Sequence, residues 1–139
     1  MNKSYEEEKQ ELLLQIQEEE SGNILTYANK EFRADKDLIL EALKFGEFSL
    51  KHAPKEITND EEIMIKAVEY SIMNFVRVSE NLKKNKEFML KVVSINKFAL
   101  DYVYGYPEIQ QDKEIIWKSK KYFLFFNKVP LENLNFKFK

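Results

Sequence analysis

The 139-residue sequence contains no cysteine and one histidine, His52. The lack of cysteine excludes disulfide frameworks, thiolate nucleophiles and Cys-based zinc or iron–sulfur sites. A single histidine disfavours His-rich metal sites and most catalysis that depends on a histidine base. The sequence also lacks a Gly-rich phosphate loop, a serine nucleophile motif and a spaced set of carboxylates. It therefore predicts a protein that is not an enzyme and that uses no cofactor and no metal.

Long apolar runs and an excess of charge of one sign are missing as well. No apolar run reaches the roughly 20 residues of a transmembrane helix, and the acidic start from Glu6 to Glu8 does not resemble a signal peptide. Lys and Arg number 22 against 24 Asp and Glu, a net charge of −2 that excludes a histone-like protein. Since 44% of the residues are hydrophobic, the chain can bury a core. These features predict a soluble cytoplasmic protein without a membrane partner.

Three glycines and three prolines are all that interrupt the chain, and a short phrase recurs along it. Each phrase has a capping residue, an acid two positions later and an apolar residue after the acid. The phrases are Asp35–Leu38, Asp60–Ile63, Asn85–Phe88 and Asp112–Ile115, at steps of 25, 25 and 27 residues. Asp and Asn cap helix starts, and the positive end of the helix dipole favours an acid. The phrases therefore predict four tandem repeats, each starting with a helix.

The apolar positions extend the repeat beyond the caps. The first helix is predicted to bury four columns of residues: Leu38, Ile63, Phe88 and Ile115, then Leu40, Ile65, Leu90 and Trp117, then Ala42, Ala67 and Val92, then Leu43, Val68 and Val93. Turn residues Gly46, Ser71 and Asn96 precede a shorter second helix. This second helix is predicted to bury Phe48, Met73 and Phe98, then Leu50, Phe75 and Leu100, then Ala53, Val78 and Val103. Such a helix pair buries its apolar surface only when it stacks against neighbouring units.

The two ends of the chain predict different structures. Ser4 and Glu7 have the spacing of a capping box, and residues 4–31 are predicted as N-terminal cap helices. Residues 32–126 contain the repeats. Pro130 breaks the helical pattern, and the alternation of apolar and polar residues that follows predicts an extended tail at 127–139. The prediction is one all-α domain, 1–139: a short solenoid of about four helix-turn-helix repeats with an N-terminal capping helix and an extended C-terminal tail.

The phrase from Asp60 to Val68, followed by a second helix and the next cap, resembles the tandem helical repeat of the family called domain of unknown function 4116. The resemblance covers about residues 32–126. The positions that carry it are the caps Asp35, Asp60, Asn85 and Asp112 and the steps Ala42-Leu43, Ala67-Val68 and Val92-Val93. The third unit departs from the pattern, because Val92 replaces the small alanine and two residues are inserted around Gly105. The family has no established activity, so the resemblance implies a helical fold and no chemistry.

Three tyrosines, Tyr102, Tyr104 and Tyr106, surround the inserted residues. Insertions in repeat proteins map to loops, often on the binding face, and tyrosine offers contact area together with a polar group. In one interpretation the rings pack on the neighbouring unit; in the other they contact a partner. The second interpretation makes the three tyrosines candidate partner-binding residues.

Positive charge and aromatic residues concentrate towards the C-terminal end. Residues 83–139 carry a net charge of +6, whereas residues 1–31 carry −5. Lys118, Lys120 and Lys121 are candidate binding residues, because lysines contact phosphates and the neighbouring rings can stack on bases. Phe136 and Phe138 lie in the tail, which either folds back as the cap that a helical stack needs or docks on a partner. The opposite charges of the two ends also permit head-to-tail self-association.

The leading functional hypothesis is a non-enzymatic protein-interaction module. It would be an adaptor or an inhibitor that binds a partner protein or nucleoprotein, for example a phage or mobile-element inhibitor of a host machine. The alternative is a nucleic-acid-binding helical repeat protein that uses the basic and aromatic C-terminal face. An enzyme is the third hypothesis, since it would have to work with one histidine and without cysteine.

Overall fold

The computed structural model describes residues 2–46, 50–103 and 105–119, and these residues form helices and turns without a strand. The predicted helical character is confirmed. The chain divides after Arg77 into two compact units, Met1–Arg77 and Val78–Lys139. Several sequence predictions lie outside the described residues, namely the predicted tail at 127–139 and the residues Phe48, Tyr104, Lys120, Lys121, Phe136 and Phe138.

The first unit contains α1 (Tyr5–Glu19), α2 (Lys36–Leu43), α3 (Lys55–Thr58) and α4 (Glu61–Tyr70). Shorter 3-10 segments span Gly22–Tyr27, Phe32–Ala34 and Ile72–Arg77. Helix α2 contacts both α1 and α4. The buried side chains of these helices include Ile16, Leu38, Ile39, Ala42, Leu43, Ile63, Met64, Ala67 and Val68. Three of the four predicted first-helix columns are therefore buried in this unit, whereas Leu40 and Ile65 of the remaining column are half-buried.

The second unit contains α5 (Glu80–Lys83), α6 (Lys86–Ile95), α7 (Pro107–Gln110) and α8, whose described part spans 113–119. A 3-10 segment spans Lys97–Tyr102. The buried side chains of this unit include Leu82, Phe88, Met89, Val92, Val93, Val103, Ile109 and Ile115. The predicted first-helix columns are buried here too, including Leu90, except that Trp117 is half-buried.

The predicted helix starts are capped as expected. The side-chain oxygens of Asp35, Asp60, Asn85 and Asp112 accept hydrogen bonds from the backbone N–H groups three residues later, at 3.1, 3.0, 2.9 and 3.1 Å. Ser4 accepts from the N–H of Glu7, and the Glu7 carboxylate accepts from the N–H of Ser4. Both hydrogen bonds of the predicted capping box are present, which fixes the start of α1.

The second helices differ from the prediction, because they begin as 3-10 segments. Ser71 and Asn96 have extended backbones, with φ of −158° and −145°. Their side chains accept from the N–H groups two residues later, those of Met73 at 3.2 Å and Phe98 at 3.0 Å. These short-range hydrogen bonds close a tight turn that continues with three residues per turn.

The predicted burial of Met73 and Phe98 is wrong. Their side chains are 50% and 54% exposed, while the following residues Asn74 and Ala99 are buried. The prediction placed these positions by their equivalence between repeats on a regular helix, and the tighter 3-10 turn directs different positions inward. Leu50, Phe75, Val78 and Val103 are buried as predicted, whereas Ala53 and Leu100 are half-buried.

Candidate interaction surfaces

The structure describes two of the three tyrosines that the sequence analysis proposed as partner-binding residues, Tyr102 and Tyr106. Tyr102 ends the 3-10 segment and is half-buried, and Tyr106 is half-buried directly before α7. The Lys84 Nζ atom lies 5.4 Å from the centre of the Tyr106 ring, within the range of a cation–π contact. Gly105 has φ of +86°, a left-handed conformation that a residue with a side chain rarely adopts. The turn therefore depends on this glycine, and partner binding by the tyrosines stays a prediction.

Of the three lysines in the predicted basic face, the structure describes Lys118. Lys118 lies on α8 and is half-buried, as is the neighbouring Trp117. Lys120 and Lys121 lie outside the described residues. Binding at this face stays a prediction.

Two pairs of apolar side chains are exposed at equivalent places, and each pair contains one residue that the sequence predicted to be buried, Met73 or Phe98. In the first unit, Tyr70 ends α4 and Met73 follows on the 3-10 segment, with 49% and 50% of their surface exposed. In the second unit, Ile95 ends α6 and Phe98 follows, at 40% and 54%. We call these the apolar pairs. The spacing of 25 residues between 70 and 95, and between 73 and 98, is the signal that relates them.

The cap aspartates bind lysines as well as their own helices. Asp60 Oδ1 accepts from the N–H of Ile63, while Oδ2 accepts from Lys36 Nζ at 2.6 Å. The hydrogen bond from Lys36 is the main cause that lowers the pKa of Asp60 below its ordinary value. In the second unit, Lys86 Nζ lies 3.0 Å from both Asp112 Oδ2 and Glu114 Oε2. Each lysine thus ties the start of one helix to the start of a later helix.

The start of α2 shows the most buried version of this arrangement. Lys9 Nζ lies 2.9 Å from Asp35 Oδ2 and 2.7 Å from Asp37 Oδ2, and the Tyr5 hydroxyl donates to Asp35 at 2.8 Å. Burial by itself would raise the pKa of Asp35, but hydrogen bonds from Lys9, Tyr5 and the N–H of Leu38 together hold it below its ordinary value. Burial and the carboxylate of Asp35 raise the pKa of Tyr5 to about 12. The Tyr5 ring also stacks on Phe32 with a centroid distance of 4.8 Å.

Two adjoining cavities lie between α1 and the 3-10 segment Gly22–Tyr27. Their volumes are about 420 and 370 Å³, and both are lined by Leu12, Gln15, Tyr27 and Ala28. The Tyr27 side chain is 90% exposed. We call this surface the α1 groove. Sequence reasoning missed it, because its walls come from two segments whose packing the repeat pattern does not specify.

The single histidine and the three consecutive glutamates of the sequence lie at the surface of the described part of the chain. His52 is exposed, and so are Glu18, Glu19 and Glu20. Within the described ranges, no three His, Asp or Glu side chains cluster in a way that could hold a metal ion. No helix among these residues is long and apolar enough to span a membrane.

Comparison with known proteins gives one match. The model of the family "Domain of unknown function (DUF4116)" matches residues 19–58 and 60–106. These residues include α2, α4 and α6, their caps and both apolar pairs. No curated protein and no solved structure matches the chain.

Proposed function

We propose that this chain, which belongs to the family "Domain of unknown function (DUF4116)", is a non-enzymatic protein-interaction module. It acts as an adaptor or an inhibitor that binds a partner protein or a nucleoprotein. The proposal also includes the predicted architecture, in which helix pairs of about 25 residues are tandem repeats of a short solenoid.

The observation that carries the proposal is the exposure of the two apolar pairs. A single exposed apolar side chain is common on protein surfaces and has no meaning by itself. Here Tyr70 and Met73 are exposed in one unit, and Ile95 and Phe98 are exposed at the same places of the other. A large apolar side chain that stays exposed to water does not contribute to fold stability by burial. The same side chain contributes to binding when a partner covers it.

The side chains around the pairs fit a protein partner. Tyr70 and Phe98 are aromatic. Aromatic residues are enriched in the buried centre of protein interfaces, where a few residues contribute most of the binding free energy. Lys97 Nζ lies 5.1 Å from the centre of the Phe98 ring, so a charged group borders the apolar surface. An apolar centre with a charged border is the usual composition of a protein interface.

A capture experiment with matched variants tests this function. The tagged full chain and the double variant Tyr70→Ser, Met73→Ser are used to capture partners from lysate of the source cells, with and without nuclease. We expect a protein that binds the unaltered chain in both conditions and is lost from the double variant. Both side chains are about half exposed, so circular dichroism should give the same helical content for the two proteins.

Leu14→Gln is the control, because Leu14 is an exposed apolar residue outside the apolar pairs. It should retain the partner. Capture that is the same for all three chains would contradict a role for the pair. Capture that disappears with nuclease would favour the alternative of nucleic-acid binding, and the variant Lys118→Glu, Lys120→Glu, Lys121→Glu would then be expected to lose the nucleic acid.

A further inference from the structure

The α1 groove is a second open surface, separate from the apolar pairs. Tyr27 borders both of its cavities and exposes 90% of its side chain, and Leu12 and Ala28 give both cavities an apolar wall. Ile24 extends this wall at one end of the groove and Phe32 at the other. Cavities of about 420 and 370 Å³ are within the size range that holds ring-sized groups of a ligand.

Carboxylates dominate the charge around this groove. Glu8 and Glu11 line one cavity and Glu19 lines the other. Lys3 also lines the groove, but its Nζ atom is 2.5 Å from Glu11 Oε1, so one carboxylate and one lysine compensate each other. Lys9, the one lysine in the sequence of α1, contacts Asp35 and Asp37 instead. A cationic segment with aromatic side chains therefore matches the groove in both charge and polarity.

We propose that residues 120–139 of a second copy of this chain bind the α1 groove. This segment contains five lysines and one glutamate, a side-chain charge of +4, together with six aromatic residues. Residues 1–31, which form the groove, carry a charge of −5. The 20 residues of the segment lie outside the described part of the structure. Fully extended they could cover about 66 Å, whereas the 15 residues of α1, which forms one side of the groove, span about 22 Å.

The binding mode has consequences for assembly. The groove of one copy binds the segment of the next, so the interface joins two different surfaces and each added copy brings a new free groove. The association therefore grows with concentration and forms open chains unless the geometry closes a ring. Because charge complementarity contributes to it, added salt weakens the association.

Sedimentation velocity of the full chain tests the proposal. We expect species larger than a monomer that increase with protein concentration and decrease with added salt. Tyr27→Ser should weaken the association about tenfold or more, as the loss of a central aromatic contact does in other interfaces. Its fold should be intact, because the side chain is 90% exposed. The control Leu14→Gln removes an exposed apolar side chain of α1 that does not line the groove, and it should associate like the unaltered chain.

A peptide experiment identifies the segment. A labelled peptide of residues 120–139 should bind the full chain and compete with its self-association, whereas a scrambled peptide of the same composition should bind at least about tenfold more weakly. A chain that stays monomeric at every concentration overturns the proposal, and so does Tyr27→Ser that associates like the unaltered chain. Equal binding of the two peptides also overturns it, because it would reduce the contact to unspecific charge. None of these results depends on the partner of the apolar pairs.

Discussion

Single aspartates at the starts of α2, α4 and α8 each bind two groups. One oxygen accepts from the N–H groups of the aspartate's own helix, and the other accepts from Lys9 for Asp35, Lys36 for Asp60 and Lys86 for Asp112. Asparagine caps a helix about as well as aspartate, but it carries no charge for a lysine. The second contact therefore gives a reason for aspartate at these positions.

The lysine contact makes the contribution of Asp60 depend on pH. Its pKa is lowered from 3.8 in the folded chain, mainly by the hydrogen bond from Lys36, so the unfolded chain binds a proton at a higher pH than the folded chain does. The stabilisation is therefore complete above the unfolded value and is lost as the pH falls through the folded pKa. Asp35 and Asp112 have pKa values lowered in the same direction and add to the loss in acid.

Variants of Asp60 separate its two roles. Asp60→Asn keeps an oxygen for the N–H of Ile63 but does not titrate, so we expect it to lose less stability than the unaltered chain between about pH 5 and pH 3. The control Asp60→Ala does not titrate either and also lacks the cap. Its free energy of unfolding should therefore be about 1 kcal/mol lower than that of Asp60→Asn at both pH values. Urea denaturation followed by circular dichroism measures both effects. Equal acid losses in Asp60→Asn and the unaltered chain would contradict the role of the lysine contact.

The end of α4 depends on a buried polar side chain. The carbonyl oxygen of Ala67 accepts from the N–H of Ser71 at 3.0 Å and from Asn74 Nδ2 at 2.8 Å. Asn74 is 1% exposed, and its Oδ1 atom has no hydrogen-bond partner among the residues that the structure describes. The residue 25 positions later is Ala99, which is also buried. The amide group of Asn74 is therefore a particular feature of this unit that ties the 3-10 segment back to α4.

Substitution at Asn74 should show the value of its N–H donor. Asn74→Asp replaces the donor by a buried carboxylate beside a carbonyl oxygen, so we expect a loss of about 3 kcal/mol or more in the free energy of unfolding at pH 7. The control Asn74→Ala introduces the residue found at position 99 and should lose about 1 kcal/mol, the usual value of one hydrogen bond. Urea denaturation at equal protein concentration compares the two. If Asn74→Ala were the more destabilising variant, packing volume and not the hydrogen bond would be the main contribution.

At the scale of the elements, some features of the fold could be predicted from the sequence and others could not. The caps at Asp35, Asp60, Asn85 and Asp112 and the capping box at Ser4 depend on contacts within four residues, so their pattern is readable along the chain. The outward direction of Met73 and Phe98 depends on the choice between 3-10 and α turns, which periodicity alone does not decide. The α1 groove and the lysine contacts join residues far apart in sequence, 24 positions in the case of Lys36 and Asp60. Whether residues so far apart in sequence contact each other depends on how the helices pack, and the repeat pattern does not specify that packing.

At the scale of the whole molecule, the two units contain the same contact in different sequence contexts. Lys36 follows the cap of α2 and binds Asp60 at the start of α4 in the first unit. Lys86 follows the cap of α6 and binds Asp112 at the start of α8 in the second, although two residues are inserted around Gly105. A contact that recurs between equivalent positions is what tandem repeats need, since each repeat is stabilised mainly by its neighbours. It supports the proposed repeat architecture, and it leads to a test at the level of the chain.

Deletion of residues 60–84 removes one proposed repeat of 25 residues and joins Asn59 to Asn85. If the units are tandem repeats, the cap of α6 then takes the place of the cap of α4, and all later positions keep their equivalence. We expect a helical protein that unfolds cooperatively but at a lower temperature, because one repeat and its neighbouring contacts are gone. Circular dichroism gives the helical content and the melting curve.

The matched control is a shorter deletion, residues 60–77, which joins Asn59 to Val78 and shifts all later positions out of equivalence. Both deletions remove α4, and this chain keeps more residues. We nevertheless expect it to lose its cooperative transition, because its apolar columns no longer continue from one unit to the next. A folded control together with an unfolded 25-residue deletion would contradict the repeat architecture. Loss of folding in both chains would contradict it as well, since an interchangeable repeat can be removed without destroying the rest of the stack.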